Sequence, residues 1–203
     1  EMQDCWKKQQ KNLEVRIIQH NFADEIHLYQ MLAMNAETGK LRTVVEERAN
    51  TFVNYGRLWR QFIKDGKQLL WMSERDNWNH LYLYDVQKSK VIRQITKGDW
   101  FVRGIQRVDE EKGEIYFSAS GVNKNEDPYL IHYYKIGMDG RNMVALTPEE
   151  GNHSAQYTYD YRYLLDTCEY SNPYIHKSRP HQLQIQPHHN SKRKHWNEDR
   201  SCT

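Results

Sequence analysis

The sequence has no run of about eighteen apolar residues and no basic N-terminal segment followed by an apolar one. It therefore predicts neither a membrane span nor a signal peptide. Only 38% of the residues are hydrophobic and the mean hydropathy is −0.98, so the buried core must be thin. Since the chain begins at Glu1 rather than at a methionine, we expect it to be a piece of a longer protein.

The chain also lacks an even set of cysteines and a strong net charge. Cys5, Cys168 and Cys202 have no metal-type spacing, and they predict no disulfide framework.

The net charge is +2, but the segment from Tyr174 onward carries six Lys and Arg against two Asp and Glu, which leaves −2 for the rest of the chain. A near-neutral body does not attract nucleic acid or an anionic membrane, so neither is predicted as a partner.

What the sequence has in quantity is aromatic residues, with 14 Tyr and 6 Trp, which favour half-buried strands. The segment Gln68–Trp100 reads as three short strands, at Leu69–Met72, Leu81–Tyr84 and Val91–Thr96, separated by polar turns. Every side chain of Leu81–Tyr84 is apolar or aromatic, which is typical of a strand covered on both faces.

Similar patterns occur on both sides of this segment. The segment Ile26–Met34 is rich in Leu, Ala and Met, so a helix is an alternative to a strand there. The segment Lys64–Lys67 is predicted to be a hairpin turn, because Asp-Gly tolerates positive φ. The other strands are predicted over Leu13–Ile17, Ile26–Met34, Leu41–Val45, Trp100–Val108, Ile115–Ala119, Tyr129–Ile136, Met143–Thr147, His153–Tyr157 and Arg162–Leu165, with two short segments in Thr51–Phe62.

The strands repeat along the chain. Val45, Thr96 and Thr147 end successive groups of strands, each 51 residues after the previous one. A period of about 40 to 50 residues built from four strands is typical of propeller blades. We therefore predict an all-β fold, an incomplete β-propeller over residues 1–173. Its three four-stranded antiparallel blades are 12–47, 51–97 and 100–148, and another begins at 151–168.

Residues 174–203 have too few apolar side chains to offset chain entropy and are predicted to be a disordered or non-native tail. Lys192–Lys194 with Trp196 could contact nucleic acid or serve as a targeting signal, but a solvated end is the simpler interpretation. Without an ordered scaffold the tail histidines do not predict a metal site. These histidines are His176, His181, His188, His189 and His195.

No pattern for nucleophilic catalysis is present. The sequence lacks Gly-x-Ser-x-Gly, and Ser118 and Ser120 read as polar residues at a strand end. A triad of His153, Asp160 and a serine has no support from spacing. We therefore predict no catalytic residue, no metal and no cofactor.

The remaining charged candidates have simple explanations. The arginines beside aromatic residues could pair with a ligand carboxylate or carbonyl, or merely cover a blade edge. The acidic pairs are predicted to be solvated. The arginines are Arg57, Arg60 and Arg103, and the pairs are Glu46-Glu47, Glu110-Glu111 and Glu149-Glu150.

The runs Trp71–Asp85 and Gln94–Trp100 closely resemble the propeller of the dipeptidyl peptidase IV family of serine peptidases, particularly its bacterial members. The resemblance is strong over residues 51–166, weaker over 12–50 and absent after Pro173. It continues through Ile115–Ala119, Asp127-Pro128, Leu146–Pro148 and Gly151–His153.

The resemblance implies a two-domain exopeptidase that releases dipeptides with proline or alanine in second position. Its catalytic Ser, Asp and His lie in a C-terminal α/β-hydrolase domain, while the propeller screens access and supplies glutamates for the substrate amine. No residue here matches these catalytic residues or glutamates; only Arg57 falls near where family propellers offer an arginine to the substrate. The resemblance further implies a periplasmic or otherwise extracytoplasmic location.

Because the composition changes after Tyr170–Pro173, we expect a truncated or frame-altered product that is inactive by itself. Its expected partners are the peptide substrate of the full-length enzyme, the missing hydrolase domain and further copies of itself. The alternative is a non-enzymatic propeller module that binds a partner protein or peptide.

Overall fold

The computed structural model describes residues 28–35, 38–48, 59–159 and 162–169, together with the backbone of 184–187. These residues form thirteen strands and contain no helix, which confirms the predicted all-β class. The strands are β1 (Leu28–Met34), β2 (Leu41–Arg48), β3 (Arg60–Ile63), β4 (Gln68–Ser73), β5 (His80–Asp85), β6 (Lys90–Gln94), β7 (Phe101–Asp109), β8 (Glu114–Ser120), β9 (Ile131–Gly137), β10 (Val144–Ala145), β11 (Asn152–Tyr157), β12 (Tyr163–Glu169) and β13 (Gln184–Pro187).

The strands form four antiparallel sheets, in which the order in space follows the order in the sequence. The first sheet holds β1 and β2, the second β3 to β6, the third β7 to β10 and the fourth β11 to β13. Up-and-down sheets of this size that recur along a chain are the units of a β-propeller. The described residues therefore form a partial β-propeller.

The turn between β3 and β4 shows how local sequence fixes the strand register. Lys64, Asp65 and Gly66 have φ values of 52°, 54° and 78°, a left-handed conformation that the Asp-Gly pair tolerates. The turn places Trp71 opposite Arg60 in β3 and opposite Tyr82 in β5. A one-residue slip would reverse the face of every side chain in the strand, so this turn decides what Trp71 contacts.

The central strands of the second sheet, β4 and β5, are buried on both faces, as their continuous apolar sequences predict. Alternate residues of β4 and β5 face the third sheet and meet Ile115, Phe117 and Ala119. The others face the first sheet and meet Met31, Val44 and Val45. The residues of β4 and β5 that face the third sheet are Leu70, Met72, Leu81 and Leu83, and those that face the first are Leu69, Trp71, Tyr82 and Tyr84.

Aromatic rings connect the second and third sheets. Trp100 makes an edge contact with His80 at 4.9 Å between ring centroids and stacks on Phe117 at 6.2 Å. A side chain at Gly98 would enter the Trp100 indole, because a Cβ there would lie 2.5 Å from Nε1, and the φ of Gly98 is +130°. Gly98 therefore lets the chain pass closely over the ring that joins the two sheets.

The structure corrects several details of the sequence interpretation. Val45 is not equivalent to Thr96 and Thr147, because it lies inside β2 opposite Met31, whereas both threonines follow the last strand of a sheet. Gln184–Pro187, expected to be disordered, pairs with β12. The segment Ile26–Met34, for which a helix was the alternative, is a strand from Leu28 onward. The predicted strand Leu13–Ile17 and the segments of 51–58 lie outside the described residues.

Candidate functional site

A buried carboxylate lies between the first two sheets. Glu47 of β2 is only 5% exposed, and its oxygens accept hydrogen bonds from Trp71 Nε1 at 2.7 Å and Ser73 Oγ at 2.8 Å. The prediction of a solvated acidic pair is therefore wrong for Glu47, although Glu46 is exposed and pairs with Arg48 at 2.7 Å. Period-two alternation was the available signal, because Glu47 shares a strand face with the buried Val45.

Arg75 neutralises this carboxylate. Its Nη2 donates to Glu47 and to the Tyr84 hydroxyl, and its Nε donates to Ser73 Oγ at 2.8 Å. The guanidinium also lies over the Tyr82 ring, 4.7 Å from the centroid. Burial acts to lower the pKa of Arg75, but the Glu47 carboxylate and the Tyr84 contact outweigh it and leave the pKa raised. Arg75 is therefore a fixed, permanently charged group at the junction of the two sheets.

A His–Thr contact recurs in the second and third sheets and was not foreseen from the sequence. His80 Nδ1 lies 3.1 Å from Thr96 Oγ1, which accepts the Leu81 N–H at 2.9 Å, and His80 Nε2 lies 2.9 Å from the Gly98 carbonyl. Because a carbonyl only accepts, Nε2 carries the hydrogen and Nδ1 accepts from the threonine hydroxyl. Both ring nitrogens of His80 therefore have partners, and His80 is a satisfied core residue.

The corresponding pair in the third sheet has different partners. Thr147 Oγ1 accepts the Tyr133 N–H at 2.9 Å, as Thr96 does for Leu81. His132, however, contacts the Thr147 carbonyl through Nδ1 at 2.9 Å and the Glu126 carboxylate through Nε2 at 2.7 Å. Thr96 and Thr147 thus hold equivalent positions, as their 51-residue spacing predicted.

A second buried histidine packs on His132. The rings of His132 and His153 lie 4.9 Å apart, and His153 contacts Asp166 through Nδ1 and the Glu149 carbonyl through Nε2, both at 2.8 Å. All four ring nitrogens of the pair therefore face acceptors. Each carboxylate contact lies within one sheet and its loops, and the packing of the two rings joins the third sheet to the fourth.

The predicted catalytic candidates do not assemble into a site. Ser118 is buried and its Oγ donates to the Gly104 carbonyl at 3.4 Å, while Ser120 Oγ accepts from Arg103 Nε at 2.9 Å. Both nitrogens of His153 are occupied, so it does not serve either serine as a base. Asp160 lies outside the described residues.

The structure describes most of the remaining charged candidates, which are the arginines and the acidic pairs. Arg103 lies over the Phe101 ring at 4.4 Å, the edge-covering role considered for it. Arg60 lies in β3, and Arg57 lies outside the described residues. The pairs Glu110-Glu111 and Glu149-Glu150 are exposed at their turns, as predicted.

Metal and thiol chemistry find little support in the described residues. No three of their His, Cys, Asp and Glu side chains are grouped so that they could hold a metal ion. Burial and the nearby carboxylates, Asp166 first among them, raise the pKa of Cys168 to about 11, which makes it a poor nucleophile. Cys5, Cys202, Lys192–Lys194 and the tail histidines lie outside the described residues.

Stacked antiparallel sheets with a recurring His–Thr contact define the chain as part of a β-propeller. The family model described as "Dipeptidyl peptidase IV (DPP IV) N-terminal region" matches residues 6–174. The chain belongs to this family.

Individual relatives agree with this assignment. Dipeptidyl peptidase 4 of Trichophyton rubrum is 33% identical over 87 residues, which are 43% of this chain and 10% of that protein. Dipeptidyl peptidase 4 of Arthroderma otae is 35% identical over 75 residues, 37% of this chain and 9% of that protein. The matched stretches thus span about a tenth of these relatives' length. The crystal structure of Porphyromonas gingivalis dipeptidyl peptidase 4 has a similar fold, with a TM-score of 0.55 and 24% identity over 70% of this chain and 19% of that chain.

Proposed function

We propose that this chain forms part of the propeller wall of a dipeptidyl-peptidase-type serine exopeptidase and limits which peptides reach an active site held by another segment. The family match over residues 6–174 is the observation that carries the proposal. The contacts of the described residues support it, because the buried serines and histidines are engaged in hydrogen bonds within their own sheets. Such a network gives a rigid wall rather than a reaction centre.

The proposal includes the substrate class and the cellular location. The substrates are peptides with proline or alanine second from the N-terminus, and the location is extracytoplasmic; both follow from the family resemblance. Among the described residues no helix is long and apolar enough to cross a membrane. Arg57 remains the proposed substrate contact of the wall.

The 203-residue chain by itself should not hydrolyse Gly-Pro or Ala-Pro chromogenic amides. It offers no activated nucleophile with a base and an oxyanion hole in its described part. The measurement is amide release by highly purified protein, with Ser118→Ala and Ser120→Ala as test variants and Ser154→Ala, an exposed strand position, as the matched control. Turnover that only the first two variants abolish would contradict the proposal.

The alternative is a non-enzymatic propeller module that binds a partner peptide or protein. Exposed Trp78 and Tyr129, 40% and 78% exposed in the loops that follow β4 and β8, favour it. Reading the gene downstream for a Gly-x-Ser-x-Gly segment separates the two. Its presence in any frame supports the peptidase wall, and its absence supports the binding module.

A further inference from the structure

A groove runs along the boundary between the first and second sheets, on the side of the Arg75 guanidinium. It encloses about 560 Å³. Its polar lining is Thr43 and Glu46 of β2, Tyr84 of β5, Arg75, and Ser89 and Lys90 at the β5–β6 turn. The groove is large enough for a small ligand.

The groove presents unused hydrogen-bond donors. Arg75 uses Nε and Nη2 on its neighbours, but no described residue accepts a hydrogen bond from its Nη1. The Tyr84 hydroxyl accepts from Arg75 and donates to no described residue. Burial raises the pKa of Tyr84, so its hydrogen remains in place at neutral pH. Lys90 adds a cationic amine that has no ion-pair partner among the described residues.

The carboxylates near the groove are already compensated. Glu46 accepts from Gln30 Nε2 at 2.6 Å and from Arg48 Nε at 2.7 Å. Glu47 is held by Trp71, Ser73 and Arg75. On the opposite wall, Ser89 Oγ accepts from Arg42 at 3.0 Å, which brings a third cation close to the turn. The polar groups of the groove that lack a partner are therefore almost all hydrogen-bond donors, and the charge that no carboxylate neutralises is positive.

From this arrangement we propose that the groove binds the oxyanion group of a small molecule, a carboxylate or a phosphate. An arginine held rigidly by a buried partner has lost its side-chain freedom in advance, and its free Nη1 can donate a charge-assisted hydrogen bond to such an oxygen. The hydroxyl groups of Tyr84 and Ser89 then donate hydrogen bonds to the bound oxyanion, and Lys90 supplies a second positive charge beside Arg75. This proposal does not depend on the proposed peptidase role.

The test is titration of the 203-residue protein with inorganic phosphate and, separately, with citrate, by isothermal calorimetry at constant ionic strength. Weak single-site binding lies in the millimolar range, so concentrations reach about 20 mM. Lys90→Gln removes the exposed cation, and Lys88→Gln is the matched control, since Lys88 lies two residues earlier, 77% exposed, and pairs with Asp85.

We expect saturable binding of at least one anion, weakened about tenfold by Lys90→Gln and less than twofold by Lys88→Gln, as for the loss of one charge-assisted contact. Tyr84→Phe, which keeps the ring, should weaken it as well. The stronger of the two anions identifies the ligand class. No saturable binding of either anion, or equal effects of the two lysine variants, would overturn the proposal.

Discussion

Trp71 donates its indole hydrogen to Glu47 at 2.7 Å, across the boundary between the first and second sheets. Twenty-four residues separate the two side chains along the chain. The bond belongs to a network in which one carboxylate satisfies an indole, a hydroxyl and a guanidinium. The stability of the junction between these sheets therefore depends strongly on one charged residue.

Glu47→Gln should lower the free energy of unfolding by about 2 to 4 kcal/mol, because it leaves the Arg75 charge half-buried without its counter-charge. The measurement is urea unfolding followed by Trp fluorescence. Glu46→Gln is the control, since its exposed pair with Arg48 should contribute less than about 0.5 kcal/mol. Equal losses for the two variants would show that the buried network has no special role.

The sequence predicted the strands of the second and third sheets well, for a local reason. A few neighbouring residues are enough to determine a turn such as the one at Asp65-Gly66 or a strand such as Leu81–Tyr84. The polar junctions depend instead on distant pairings. Glu47 is buried because β2 faces Trp71, and His153 is buried because β11 lies beside β9, neither of which is visible in a local pattern.

The recurring threonines give a second prediction. Thr96→Val should destabilise the protein by about 2 to 3 kcal/mol, because it leaves both the Leu81 N–H and His80 Nδ1 buried without a partner. Thr147→Val should cost less, about 1 to 2 kcal/mol, because only the Tyr133 N–H loses its acceptor and His132 keeps the carbonyl. Urea unfolding of both variants tests the order, and the reverse order would contradict the assigned hydrogen bonds.

Cys168 should be alkylated slowly, and its rate should keep rising with pH. With a pKa of about 11, only about one thiol in a thousand is ionised at pH 8, and the thiolate fraction grows about tenfold per pH unit. The measurement is iodoacetamide labelling between about pH 7 and 9.5, read by mass spectrometry on the peptide that contains Cys168. In urea the labelling rate of the same peptide should stop rising near pH 9, as it does for an ordinary thiol. A labelling rate that also stops rising near pH 9 in the folded protein would contradict the raised pKa.

The outer face of the fourth sheet leads to the last prediction. Tyr163 and Leu165 lie on one face of β12, 41% and 38% exposed, while Leu164 on the other face is 3% exposed. In the second sheet both faces of β4 and β5 are covered by neighbouring sheets, so an apolar face of this kind favours association with a partner or with another copy of the chain. Repeat arrays can persist as open stacks, since each unit mainly contacts its neighbours.

We therefore expect concentration-dependent self-association in sedimentation velocity and a broad thermal transition. Leu165→Lys should shift the protein toward monomer, because it places a charge in the middle of the apolar face. Tyr129→Lys is the control, since Tyr129 is 78% exposed and lies in the loop between β8 and β9, outside the fourth sheet. A monodisperse monomer at every concentration, or an equal effect of both variants, would mean that this face does not drive association and that the sheets form a self-sufficient unit.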